Sequence, residues 1–335
     1  MKDIFHAYFK PSDDDLKSLW HASLISFDAN TLLNLYRYSP QSSDALIELI
    51  KTCAPRIRLP HQFAEEYSRN RPAVIMSQVK RYADAESDLL KFETEKLGSQ
   101  REHPYLDEES ISAIDKIKSE LTSKRKSMEK MISNDPYANF LLATCAGKIG
   151  NPPTEEELVE MHREAAERFA KEVPPGYKDQ TKKGLPGAYG DFIAWEQLIS
   201  IATIEKNDLI VVTDDLKDDW WWSVNGRTVG PRPELLNEFS KRSGQRLWMY
   251  NSEGFLRAAE LFGGADVPTG LKEEVGRQIE VTRKQVEEVR QKPTADSDFS
   301  FLKQLLATPK LATGLSGSLH EKPSSSQKPT SGQEE

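Results

Sequence analysis

Asp28, Glu66, Asp191 and the adjacent pair Asp214-Asp215 are the residues whose type and placement point to chemistry. Each stands where an apolar run ends or a helical one begins, so a fold could gather them at one edge of a sheet. Carboxylates gathered in that way repel one another unless a cation stands between them. Hard oxygen ligands around an open site are what Mg²⁺ or Mn²⁺ prefers. Such a site can activate water and stabilise the leaving oxygen of a phosphodiester. Metal-assisted phosphodiester hydrolysis is therefore expected ahead of cysteine, histidine or serine chemistry. Cys53 and Cys145 match no metal or redox spacing, and the six histidines are scattered.

Every one of these acids also has a plainer reading. Asp28, with Asn30 two residues on, has the residue types of a helix cap. Glu65 and Glu66 are successive helical positions about 100° apart, so both cannot face one ion. Asp191 opens a helix, where the dipole stabilises a carboxylate. Asp214 and Asp215 follow Val-Val-Thr and could simply form a turn. The chemical case rests on all of them meeting at equivalent edges. Asn30, Arg69, Arg71 and Lys182, with Lys183 beside it, are candidates for holding substrate phosphates, and Arg suits that task. Solvated surface is the plainer fate for them. Trp220, Trp221 and Trp222 could stack bases, with packing expected for two of the three.

The elements that must position these residues alternate. Leu24-Ile25-Ser26-Phe27 reads as a buried strand, Thr31 to Tyr38 as a short helix, and Ser42 to Thr52 as an amphipathic helix. Ile57-Arg58-Leu59 is a second brief strand. Pro60 opens a helix that carries Phe63, Glu65, Glu66 and Tyr67 and continues past Pro72 after a break. Thr154 and Glu157 form a capping box for a helix that buries Leu158, Met161, Ala165 and Phe169. Gly190-Asp191 opens an apolar helix, Phe192 to Ile204. Leu209-Ile210-Val211-Val212 is the clearest strand, and Arg246 to Tyr250 is the last, followed by a helix over Glu253 to Leu261. Phe5, Tyr8 and Phe9 are expected to anchor an N-terminal arm. The fold class is α/β: a parallel twisted sheet flanked by helices in three layers, with ligands beyond the carboxyl ends of the strands.

The domain organisation expected is a core over 1–75 and 174–265, a helical insertion over 76–173, a C-terminal helix over 266–291 and a disordered tail over 292–335. The insertion is dense in charge, with a stripe of Ile114, Ile117, Leu121, Met128 and Met131 that reads as a helical hairpin or short coiled coil turning near 98–105. The stripe suits internal packing, a protein partner or self-association. Its Lys124-Arg125-Lys126 cluster also leaves a nucleic-acid contact open. The tail is rich in Ser, Pro, Thr and Gln around one apolar island, Phe299 to Leu306. The 335 residues carry a net charge of −8. That counts mildly against nucleic acid, though an acidic metal site lowers the charge by itself. No apolar run approaches the roughly 18 residues of a membrane span, and the N-terminus lacks a secretory pattern. A reducing, cytoplasmic setting is expected.

Leu24 to Leu33, an apolar strand followed by Asp28-Ala29-Asn30, resembles the first motif of PIN-like nucleases. Leu59-Pro60 through Glu66-Tyr67 with Arg69-Asn70-Arg71 is similar to the second motif of a long bacterial PIN-like subgroup. Pro174 to Asp179, then Gly190-Asp191 with Trp195, resembles its third block. Val212-Thr213-Asp214-Asp215 with Lys217, Asp219 and Trp220-Trp221 resembles its fourth. The resemblance covers about 20 to 262. It selects Glu66 over Glu65 and Asp215 over Asp214, and makes Asp28, Glu66, Asp191 and Asp215 catalytic and metal-binding, with Asp214 in reserve as a ligand. It implies a Mg²⁺- or Mn²⁺-dependent endonuclease acting on single-stranded RNA, RNA ahead of DNA, in a bacterial defence or growth-control setting. The rivals are an interaction module that works through the insertion, and a phosphatase using Asp28 as nucleophile. The phosphatase would want an acid where Asn30 stands.

Overall fold

A computed structural model describes residues 5–97, 106–180, 187–225 and 227–291, together with Met1 and Gly184. The strands are β1 (Leu24–Phe27), β2 (Leu209–Val212), β3 (Trp221–Val224), β4 (Arg227–Pro231) and β5 (Leu247–Tyr250). The helices are α1 (Asp13–Ala22), α2 (Ala29–Leu33), α3 (Pro40–Cys53), α4 (His61–Phe92), α5 (Glu108–Lys130) and α6 (Pro136–Cys145). They continue with α7 (Glu155–Ala170), α8 (Gly190–Glu205), α9 (Pro233–Ser243), α10 (Ser252–Gly263) and α11 (Thr269–Gln291).

The central sheet is parallel, in the order β1-β2-β5, with Phe27 level with Val212 and Val212 level with Tyr250. Ile57 adds a parallel bridge to Ile25, and Leu59 another to Ile149, so the brief second strand of the sequence is reduced to isolated bridges. β1 and β2 are buried along their whole length, which is why they read as unbroken apolar runs rather than alternating ones. Alternate residues still go to opposite faces. Ile25, Phe27, Ile210 and Val212 pack with α3, α10 and α11, through Leu46, Ile50, Phe255 and Leu271. Leu24, Leu209, Val211 and Met249 pack with α8 and α9, through Phe192, Trp195, Leu198 and Phe239. The result is the three-layer α/β arrangement.

α4 runs unbroken through Pro72, against the expected interruption. A proline inside a helix costs about 3 kcal/mol. Tyr67, Val74, Ile75 and Val79 of this helix are buried around it, and their burial holds the helix together. α4 then pairs antiparallel with α5, through Glu86 to Arg125 at 2.9 Å and Glu93 to Lys118. The sequence stripe is only partly the seam: Ile117 is half-exposed, while the stems of Lys118 and Arg125 lie in it. The N-terminal arm also differs from expectation. Phe5, Tyr8 and Phe9 are exposed, and Ala7 is the buried member. Tyr8 meets Trp222 edge-on, while Trp220 and Trp221 are core. The antiparallel β3–β4 hairpin and α9 complete the second face. Among the described residues no helix is long and apolar enough to cross a membrane. The expected turn at 98–105 and the tail over 292–335 lie outside the described residues.

Candidate functional site

β1 delivers Asp28 to the carboxyl edge of the sheet. Its backbone caps α2, and one carboxylate oxygen accepts the Thr31 amide at 2.6 Å. The cap reading is thus satisfied, but it uses only one oxygen. The other accepts the Thr213 hydroxyl at 2.5 Å, from the end of the neighbouring strand β2. Burial pushes the Asp28 carboxyl up to about 7, and the nearby Asp214 pushes the same way against the bonds from Thr213 and Thr31. The Thr213 oxygen in turn accepts the Asp215 amide at 3.1 Å. One hydroxyl therefore fixes Asp28 relative to Asp215.

The two adjacent aspartates part company. Asp214 turns to structural partners: the Asn34 amide at 2.8 Å, the Ser252 amide at 2.8 Å and the Ser252 hydroxyl at 2.6 Å. It ties the end of β2 to the turn after α2 and to the start of α10. Burial raises its pKa, opposed by those bonds. Asp215 turns to Lys217, whose ammonium is 2.6 Å from one of its oxygens and whose backbone amide bonds the other. Burial pushes the Asp215 carboxyl up to about 7. Lys217 opposes that rise and Asp191 adds to it.

Asp191 sits in the first turn of α8, 3.4 Å from the Lys217 ammonium and 3.4 Å from the Trp220 indole N–H. Asp179 lies 2.6 Å from the same ammonium. Burial alone would lower the pKa of Lys217, but Asp191, Asp215, Asp179 and Asp219 outweigh it and hold the ammonium well above the ordinary lysine value. Asp219 is fully buried. One oxygen accepts the amides of Gly176 and Lys178, and the other has no hydrogen-bond partner among the described residues. Gly176 has a φ of +95°, and a Cβ there would come 3.0 Å from the Asp191 Cβ, so glycine is required for this loop to pass.

Glu66 approaches from α4. Its side chain accepts the Gln62 amide at 2.7 Å, and a Cβ on Gly190 would come 2.7 Å from the same oxygen. Glycine at 190 therefore lets Glu66 lie directly against the residue before Asp191. Glu65 faces away, exposed, beside His61 and Arg69. The fold thus brings Asp28, Asp215 and Asp191 into one bonded network, with Glu66 at its margin. Asn30 is exposed in the first turn of α2, and Arg69 is exposed with Glu65. Arg71 is engaged by Asp135 at 2.5 Å. Lys182 lies outside the described residues.

Lys217, Asp179, Asp219 and Thr213 stood in the motif blocks of the sequence without being given a role at the site, and Asn34 and Ser252 were not singled out at all; the fold brings all six to the network. Lys217 had a signal, since it stands two positions after Asp215 in the same turn. Asn34 and Ser252 had none.

Among the described residues no three acidic, histidine or cysteine side chains stand together at metal spacing. The middle of the Asp179–Asp191–Asp215 trio is taken by the Lys217 ammonium. The donor set still suits a divalent ion in its chemistry: hard carboxylate oxygens, with Asp28 and Asp215 both raised by burial first and by a neighbouring aspartate after it. A family model described as a PIN like domain matches residues 24–235. No curated protein and no solved structure matches the chain.

Proposed function

Because the chain belongs to the PIN-like domain family, whose members are generally nucleases, we propose that it is a metal-dependent endonuclease that hydrolyses phosphodiester bonds in single-stranded RNA. Asp28, Asp215, Asp191 and Glu66 would hold Mg²⁺ or Mn²⁺. The ion would supply charge neutralisation at the phosphate and a more acidic bound water. RNA ahead of DNA follows from the resemblance of the four ordered motifs.

The observation that carries this reading is the convergence of Asp28, Asp191 and Asp215, from three separate elements, on the carboxyl edge of the sheet. The chain's own residues do the positioning. Thr213 holds Asp28 and Asp215 in fixed relation, and Asp214 locks the end of β2 so that Asp215 faces the site. Preorganised charge of this kind is what phosphoryl chemistry needs. Asp28→Asn is expected to abolish cleavage of single-stranded RNA in Mg²⁺ or Mn²⁺ with the circular dichroism spectrum unchanged. Cleavage at the wild-type rate by that variant would refute the site.

One observation favours a second activity, binding of a protein partner by the α4–α5 hairpin. Leu90, Phe92, Ile111 and Ile117 are exposed apolar side chains near one end of it. If Mn²⁺ gives no heat in calorimetry and no RNA is cut, the partner-binding module becomes the better reading.

A further inference from the structure

Lys217 is unlike Lys51 and Lys80 among the described lysines. Lys51 and Lys80 make single ion pairs with residues on their own helix, and both are more than half exposed. Such pairs contribute little. The Lys217 ammonium instead meets three carboxylates from three places in the sequence: Asp179 at 2.6 Å, Asp215 at 2.6 Å and Asp191 at 3.4 Å. Those side chains are 3%, 14% and 14% exposed, so water screens the group poorly. An ammonium has three N–H donors, and here there are three anions to receive them. Moving the lysine away would leave buried carboxylates facing one another with no counter-charge, an arrangement costing several kcal/mol. Asp219, buried behind them, adds to that cost. The ammonium is therefore a fixed part of the site.

Its position matters because two of its three anions, Asp191 and Asp215, belong to the set proposed to hold metal. A two-ion phosphodiesterase places a second divalent ion among such carboxylates. We propose that the Lys217 ammonium is a built-in cation that stands in for one of those two ions, so that the site takes a single divalent ion beside Asp28. The inference rests on the nuclease reading for its purpose, but its test reads metal binding rather than cleavage. Lys217 acts here through the carboxylates it holds and is a positioning residue.

The test is Mn²⁺ binding to the metal-free full chain, followed by calorimetry and by the paramagnetic resonance of free Mn²⁺. Wild type is expected to bind one ion. Lys217→Met keeps the stem and removes the charge; it is expected to bind a second ion, with the first held roughly tenfold tighter or more. Its thermal midpoint without metal should lie below that of wild type, and Mn²⁺ should raise it more than it raises wild type. Lys217→Arg, which keeps the charge, should return to one ion. A purely structural lysine would give a weaker variant with an unchanged ion count. Two ions on wild type, or the same count and affinity on wild type and Lys217→Met, overturns the proposal and leaves the nuclease reading standing. No ion on wild type but one on Lys217→Met overturns the single-ion site and removes the metal from the proposed reaction. No ion on either overturns both. If Lys217→Met does not fold, the wild-type count decides.

Discussion

Asp135 and Asp215 are both poorly exposed carboxylates facing a cation, and they are built for different ends. Asp135 caps α6, where one oxygen accepts the amides of Tyr137 and Ala138, each at 2.9 Å. Its other oxygen accepts the Tyr36 hydroxyl at 2.7 Å and the Arg71 guanidinium at 2.5 Å. Tyr36 gives its proton to Asp135, so Tyr67, 2.7 Å away, donates to Tyr36. One anion meets one cation there, and each oxygen has two donors. Around Asp215, three carboxylates share one lysine, with Asp219 close behind. The first centre pairs one anion with one cation and pins the turn after α2 to α4 and α6. The second sets three carboxylates against one cation. That difference separates a structural ion pair from a candidate site more clearly than burial does.

The largest effect that could break the comparison is on stability. Removing one partner of a buried pair typically costs about 3–5 kcal/mol. Asp135→Ala also removes a helix cap, worth about 1 kcal/mol. It is expected to lower the unfolding free energy by about that combined amount in denaturant titrations. Asp215→Asn removes one of three like charges around Lys217 and should leave stability within about 1 kcal/mol of wild type while cleavage is lost. Equal destabilisation by the two would mean that Asp215 is merely another structural anion.

The pH response of the metal-free protein sharpens the same contrast. Asp28 and Asp215 are raised from 3.8 to about 7, so between those values the folded chain holds more protons than the unfolded one. Their penalty is absent below about 4, grows as pH rises and is complete above about 7. Metal-free stability should therefore fall between pH 5 and about pH 8, by an amount on the order of a few kcal/mol. Mn²⁺ should restore it at the upper end, and Asp28→Asn should flatten the slope. A metal-free stability that rises with pH across that window would count against the excess of negative charge.

Much of this frame was legible in the sequence, and the reasons are physical. Strands buried on both faces must be apolar throughout, so Leu24 to Phe27 and Leu209 to Val212 announced themselves. Helix starts carry their own chemistry, which is why Thr154 and Glu157 were readable. The β3–β4 hairpin and α9 were not read, because the Trp220–Trp222 run shows no alternation: two rings enter the core in succession. The division between Asp214 and Asp215 depends on Asn34 and Ser252, which only the folded chain brings near. Lys217 was visible as a residue but not as a centre. Its partner Asp179 lies in a loop that reaches the site through Gly176, and nothing local in the sequence links the two.

The smallest effect is the most discriminating, because it makes the same change in both centres. Tyr36 and Thr213 each donate a hydroxyl hydrogen to a buried carboxylate, at 2.7 Å and 2.5 Å. Tyr36→Phe leaves Asp135 with Arg71 and the two amides, and takes the acceptor from the Tyr67 hydroxyl. A bond to a charged group is worth about 1.5–3 kcal/mol, and that is the expected loss. Thr213→Val is nearly isosteric and deprives Asp28 of one of its two donors, leaving the Thr31 amide. Asp28, pushed to about 7, can take up a proton. The cost of Thr213→Val should therefore be about 1 kcal/mol at pH 8 and smaller at pH 5. Denaturant midpoints of the two variants at the two pH values would show it. If the cost of Thr213→Val were constant with pH, Asp28 would be held charged across that window, and its raised pKa would play no part in the site.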